Sequence, residues 1–85
     1  MKHATAMALD QLGPILDALR TLPGLKERSR GVFYRKGRAF LHFHEDPKGL
    51  FADVRSAAGD DFERIEVTGA AGWAALVAAA RERAV

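Results

Sequence analysis

The chain has 85 residues and no cysteine, and its 13 lysines and arginines nearly balance 11 acidic residues. A chain this short forms one domain over residues 1–85, without disulfides, and a net charge of +2 does not by itself indicate a nucleic-acid-binding protein. No apolar run reaches the roughly 18 residues of a transmembrane helix, and the first residues lack the apolar segment of a secretion signal, so we expect a cytoplasmic protein with no membrane contact.

The first predicted element is an amphipathic helix, because leucines recur three or four residues apart along one side. This stripe consists of Leu9, Leu12, Leu16 and Leu19. Two starting points are open. A cap at Asp10 would place Pro14 in the first turn, where proline is tolerated, whereas a start near Thr5 would place Pro14 further inside and should kink the helix. Pro23-Gly24 ends the helix.

Two tight turns then divide residues 31–55 into three strands. Lys36-Gly37 is a two-residue hairpin turn that pairs Phe33 with Phe40, because glycine supplies the positive φ that such turns need. A four-residue turn at 46–49 pairs His42 with Asp53. Residues 25–30 are predicted to be a polar connector, residues 57–61 a loop and residues 62–67 a fourth strand.

The alternation along these strands separates an aliphatic face from a mixed one. A slip of one residue would exchange the two faces, so the agreement between both hairpins supports this register. The aliphatic face consists of Val32, Tyr34, Ala39, Leu41, Phe43, Leu50, Ala52 and Val54. The other face, which we call the predicted binding face, consists of Phe33, Arg35, Arg38, Phe40, His42, His44, Phe51, Asp53 and Arg55.

A final helix follows Thr68, which is predicted to cap it, and its apolar side includes Trp73 and Leu76. The element order is therefore α-β-β-β-β-α. The simplest burial places both helices on the aliphatic face, which predicts an α+β fold, a two-layer sandwich with a four-stranded antiparallel meander. The predicted binding face is then left without cover.

Short segments of the chain are similar to known families. Leu22-Pro23-Gly24-Leu25, the stretch 31–40 and Trp73 after the strand end at 67–68 resemble the MmcQ/YjbR-like family. That resemblance implies a small bacterial domain with a frataxin-like arrangement of helices on an antiparallel sheet, in a family of which some members are described as DNA-binding. The spacing of Phe33 and Arg38, followed by His42-x-His44, is similar to a bacterial luciferase-domain family. Neither resemblance supplies a catalytic residue.

His42 and His44 alternate on one strand, so both imidazoles project from one face about 6.5–7 Å apart at the backbone. Asp53 lies opposite His42 in the predicted register. Two histidines and a carboxylate could ligate zinc or ferrous iron. The alternative is a packing pair in which His42 is hydrogen-bonded to Asp53, and no metal or other cofactor is assigned. His3 is placed in a frayed terminus and is not counted as a ligand.

No catalytic residue is assigned, because the chain has no cysteine nucleophile, no glycine elbow around its serines and no phosphate-binding glycine loop. The sequence therefore favours a binding module over an enzyme. Three phenylalanines on an uncovered sheet indicate contact with a protein partner or a second copy of the chain. The same rings with Arg35, Arg38, Arg55 and Arg64 would suit single-stranded nucleic acid. A metal-dependent activity at His42, His44 and Asp53 is the third hypothesis.

Overall fold

The structure is a computed structural model that describes residues 2–84. Within these residues it contains six strands and three helices. In chain order they are β1 (Lys2–His3), α1 (Ala6–Gln11), α2 (Gly13–Arg20), β2 (Lys26–Ser29), β3 (Val32–Arg35), β4 (Arg38–Asp46), β5 (Gly49–Arg55), β6 (Phe62–Glu66) and α3 (Ala70–Arg83). No helix in the described part of the chain is both long enough and apolar enough to span a membrane.

The strands form one antiparallel sheet in the order β2-β3-β4-β5-β6, with β1 paired to β4 off this path. The α+β class and the antiparallel sheet with helices at both ends are confirmed, but the expected number of four strands is wrong. The two missed strands are β1, with two residues, and β2, whose sequence is Lys-Glu-Arg-Ser. Both are short and polar. Main-chain hydrogen bonds to a neighbouring strand hold them, and their sequences show no alternation of apolar and polar residues.

The N-terminal helical region begins early and is interrupted near Pro14. Thr5 is the N-cap of α1, and its hydroxyl accepts a hydrogen bond from the Ala8 N–H at 3.4 Å. The helix breaks at Leu12, and α2 begins at Gly13 with Pro14 in its first turn, where the missing N–H of proline costs no hydrogen bond. Of the two starting points, the one near Thr5 with a disruption at Pro14 is the correct one.

A β-bulge changes the predicted pairing of β3 with β4. The turn pairs Arg35 with Arg38 as expected, with Lys36 at φ 52° and Gly37 at φ 79°. Tyr34 then pairs with Ala39, but Phe33 pairs with Leu41 and not with Phe40, so Phe40 is an extra residue on β4. Phe33 and Phe40 are 1% and 3% exposed and belong to the core, so their placement on the predicted binding face is wrong.

The pairing of β4 with β5 follows the prediction over residues 41–45. It runs from Leu41 opposite Val54 to Asp46 opposite Gly49, and it includes His42 opposite Asp53. In turn, β6 pairs with β5 so that Arg64 lies opposite Asp53. By strand alternation these residues share one side of the sheet. We call this surface the histidine face; it consists of His42, His44, Phe51, Asp53, Phe62 and Arg64.

The buried residues of the helices and of the aliphatic strand positions form a single apolar cluster. Its members from the helical region and from the sheet include Leu16, Leu19, Leu41, Val54 and Leu76. The N-cap of α3 is Gly69, and no side-chain hydrogen bond caps this helix. Thr68 therefore does not cap the helix as predicted; its hydroxyl instead accepts a hydrogen bond from the Leu50 N–H at 3.0 Å.

Candidate functional site

The N-terminal strand β1 brings His3 onto the histidine face. It pairs with the far end of β4, so that Lys2 lies opposite Glu45 and His3 opposite His44. Beyond this pairing, the Ala4 N–H donates to the Phe43 carbonyl at 3.1 Å. The Thr5 N–H donates to Oε1 of Glu45 at 2.5 Å. The segment is thus held by main-chain and side-chain bonds, and the exclusion of His3 as a frayed residue is wrong.

The three imidazoles converge on one spot. One ring nitrogen from each of His3, His42 and His44 lies within 4.8 Å of the other two. The ring centroids of His42 and His44 are 4.7 Å apart in an edge-on arrangement, and those of His3 and His44 are 5.1 Å apart and stacked. These are all of the histidines in the sequence. The structure therefore gathers every imidazole of the chain into one cluster.

Two nitrogens of this cluster lack a hydrogen-bond partner in the described part of the chain. The Nδ1 atoms of His42 and His44 are buried, and neither has a hydrogen-bond partner within residues 2–84. A neutral imidazole carries one donor nitrogen and one acceptor nitrogen, and buried polar atoms of either kind are normally satisfied. The cluster therefore contains two buried nitrogens that a bound group could satisfy.

Asp53 lies beside the cluster but contacts a different histidine from the one expected. The sequence predicts a hydrogen bond from His42, its direct cross-strand partner. In the structure, Nε2 of His44 lies 3.2 Å from Oδ2 of Asp53. The carboxylate is also held by Arg64, whose Nε donates to Oδ1 at 2.8 Å and whose terminal NH2 group donates to Oδ2 at 2.9 Å. A carboxylate at this distance favours a proton on Nε2 of His44 and a lone pair on its Nδ1.

The electrostatics favour the neutral form of His42 and the ionised form of Asp53. Burial lowers the pKa of His42 below its ordinary 6.5, and the neighbouring His44 lowers it further. Burial opposes ionisation of Asp53, but the hydrogen bonds and positive charge of Arg64 outweigh it and lower the pKa of that carboxyl group. Neutral imidazole is the form that binds metal ions.

One aromatic ring separates the histidine cluster from the arginines at the end of the sheet. Phe62 meets His42 edge-on, with ring centroids 5.1 Å apart. The guanidinium carbon of Arg55 lies 4.3 Å from the centre of the same ring, which is cation–π geometry. Phe62 was assigned only to the fourth strand by the sequence, and its place between His42 and Arg55 follows from its pairing opposite Arg55.

The remaining residues of the predicted binding face do not stay together. The bulge reverses the alternation, so Arg35 and Arg38 share the side of Phe33 rather than that of His42. With Arg55 and Arg83 they line a cavity of about 160 Å³. Of the three phenylalanines expected on the open face, Phe51 alone is not buried in the core. The site expected from the sequence is therefore two sites, a histidine cluster and a basic cavity.

Comparison with protein-family models, with curated proteins and with solved structures gave no match to this chain. The resemblance to the MmcQ/YjbR-like family therefore stays a prediction, and the function is argued from the two sites.

Proposed function

We propose that the protein is a small binding module that holds one divalent transition-metal ion of the zinc type, with His3, His42 and His44 as its ligands. The observation that supports this proposal is the convergence of three ring nitrogens within 4.8 Å. In a tetrahedral site with zinc–nitrogen bonds of about 2.0–2.1 Å, ligand atoms lie roughly 3.3–3.4 Å apart. Small rotations of the three side chains would close that difference.

The donor set favours a borderline-soft ion. Imidazole nitrogen suits zinc, copper, nickel and iron, whereas calcium and magnesium prefer oxygen ligands. Three protein ligands leave a fourth tetrahedral position for water or for an external group. His3 is exposed and His42 and His44 are half-buried, so an ion at this place can be reached from solvent.

Asp53 acts next to the ligands. Metal-bound histidines usually donate their second nitrogen to a carboxylate or a carbonyl, which fixes the ring and raises its basicity. His44 and Asp53 have this relationship, and Arg64 holds the carboxylate from the other side. Because Arg64 neutralises much of the carboxylate charge, the imidazole donors and not a negative field supply the affinity for the ion.

The apolar-interface hypothesis has less support. It relies on three uncovered phenylalanines, and two of them, Phe33 and Phe40, are core residues. Among large apolar side chains of the described residues, Met7 is the exposed one, at 76%. A single exposed apolar residue is normal on a monomer and does not form a docking patch. Contact with a protein partner or a second copy stays a prediction from the sequence.

Calorimetry with zinc tests the proposal. The protein is purified without a polyhistidine tag, because a tag would add ligands near His3, and it is freed of metal with a chelator. We expect one zinc ion per chain with micromolar or tighter affinity, and a higher melting temperature by mass action. Cobalt(II) in place of zinc should give the visible absorption of a tetrahedral site.

Single substitutions separate the proposed ligands from their neighbours. His3→Ala, His42→Ala and His44→Ala should each weaken zinc binding by more than the roughly 10- to 100-fold that loss of an outer partner costs. Lys2→Ala, on the same strand as His3, is the matched control and should bind zinc as the parent does. Absence of zinc binding in the parent, or unchanged binding in His3→Ala, would refute the three-histidine site.

A further inference from the structure

Apart from the histidine cluster, the protein has a small cavity at one end of the sheet. It lies between the β3–β4 hairpin, the loop between β5 and β6, and the end of α3. Its cationic lining residues belong to the β3–β4 hairpin, the end of β5 and the end of α3: Arg35, Lys36, Arg38, Arg55 and Arg83. None of the described residues that line it is acidic. With a volume of about 160 Å³, the cavity has room for one small anionic group.

Two of these guanidinium groups are positioned by neutral carbonyls. The terminal NH2 group of Arg38 donates to the Gly59 carbonyl at 3.2 Å. Nε and the terminal NH2 group of Arg55 both donate to the Ala39 carbonyl, at 3.1 and 2.6 Å. Hydrogen bonds to carbonyl groups hold the side chains in place without cancelling their charge. The described lining of the cavity therefore presents positively charged donors that are held in place.

Arg83 contributes a buried donor that has no acceptor among the described residues. One of its terminal nitrogens lies 2.7 Å from Oε1 of Glu63 and donates to the Arg55 carbonyl at 3.2 Å. Its Nε atom is buried and has no hydrogen-bond partner within residues 2–84. A buried donor normally makes a hydrogen bond, so this nitrogen is expected to bind an acceptor that the described residues do not supply.

We propose that this cavity binds the phosphate group of a small phosphorylated molecule. Guanidinium groups bind phosphate through paired, charge-assisted hydrogen bonds, and several converging arginines are the usual means of recognising it. A nucleic-acid groove instead follows the strand over several nucleotides and stacks bases on exposed aromatic rings. Here the cationic groups surround one small cavity, and Phe33 and Phe40 are buried. This site uses other residues than the metal proposal and does not depend on it.

Titration of the metal-free protein with inorganic phosphate tests the site, with sodium chloride at equal ionic strength as the reference. Phosphate should raise the melting temperature beyond the chloride reference and shift the NMR signal of the Arg83 Nε–H group. Arg38→Gln and, separately, Lys36→Asn should each weaken phosphate binding, by about tenfold where a charged hydrogen bond is lost. Asparagine tolerates the positive φ at position 36. Lys48→Asn, in the other hairpin turn, is the matched control and should not weaken it.

A short single-stranded oligonucleotide provides the second arm of the experiment. The small-molecule site predicts binding of phosphate without tight binding of the oligonucleotide. If the oligonucleotide binds and phosphate does not, with Arg38→Gln weakening that binding, the arginines serve a nucleic acid and the proposal is wrong. Equal effects of phosphate and chloride, or unchanged phosphate binding in both variants, also overturn it. If Arg38→Gln does not fold, Lys36→Asn alone decides.

Discussion

His44 and Asp53 are diagonal neighbours across β4 and β5, and Nε2 of the histidine lies 3.2 Å from Oδ2 of the carboxylate. The residue directly opposite Asp53 is His42. The Nδ1 atoms of His42 and His44 have no hydrogen-bond partner within residues 2–84. In the proposed metal site, Asp53 would orient the imidazole of His44 and these two nitrogens would be available to the ion.

Asp53→Asn tests this orienting role. The variant keeps the three imidazoles but weakens the acceptor beside His44, so zinc affinity should fall by about 10- to 100-fold with the stoichiometry unchanged. Isothermal titration calorimetry measures both quantities. The control is Asp17→Asn, which should bind zinc normally because Asp17 is an exposed carboxylate on α2, paired with Arg20. Unchanged affinity in Asp53→Asn would mean that the carboxylate does not assist the site.

The pKa of His42 in the metal-free protein should lie below 6.5, because burial and the neighbouring His44 disfavour its charged form. The unfolded chain then binds a proton at a pH where the folded chain does not. The free energy of unfolding is therefore not reduced by this group above about pH 6.5, and it falls as the pH drops from there toward the pKa of His42 in the folded protein. NMR titration of the ring protons gives the midpoint, and denaturation as a function of pH gives the slope.

His42→Phe should reduce that pH dependence, since phenylalanine has no titrating group. A midpoint for His42 above 6.5 would contradict the assigned cause. So would a denaturation slope that His42→Phe leaves unchanged.

Phe40→Ala should destabilise the protein as a core substitution. Phe40 is 3% exposed and belongs to the apolar cluster, and truncation of a buried phenylalanine costs about 3–5 kcal/mol. Phe51→Ala on the histidine face removes a half-buried ring and should cost less. Urea denaturation compares the two. Similar losses would indicate that Phe40 is not in the core and would restore the predicted register of β3 with β4.

Gly72→Ala should lower the melting temperature although it lies in α3. Alanine is favoured over glycine inside a helix by about 1 kcal/mol. A Cβ atom at position 72, however, would lie 1.8 Å from the Glu66 carbonyl oxygen, which is main chain and cannot rotate away. The repulsion outweighs the helix preference. In Gly13→Ala, at the start of α2, the added Cβ meets no atom of residues 2–84 within 4 Å, so the change should be neutral or mildly stabilising in thermal denaturation.

Local rules of the chain account for much of the fold and for two of the three proposed metal ligands. The turn at Asp46 to Gly49 has a definite length, so it determines the partner of every residue from Leu41 to Asp46. Strand alternation then places His42 and His44 with Asp53 on one face. The apolar stripe of the first helical region and the apolar side of α3 follow from helical periodicity. These conclusions need no knowledge of distant contacts.

The tertiary structure alone decided the rest. Nothing in Lys2-His3 marks a strand, because its pairing with β4 uses main-chain groups that every residue has; yet this pairing delivers the third imidazole. The bulge at Phe40 likewise cannot be predicted from the alternation of apolar and polar residues. It allows the adjacent residues Phe40 and Leu41, which regular alternation would place on opposite faces, both to enter the apolar cluster, and it separates Arg35 and Arg38 from the histidines. Periodicity reports which side of an element is apolar, whereas the choice between two registers depends on what packs against it.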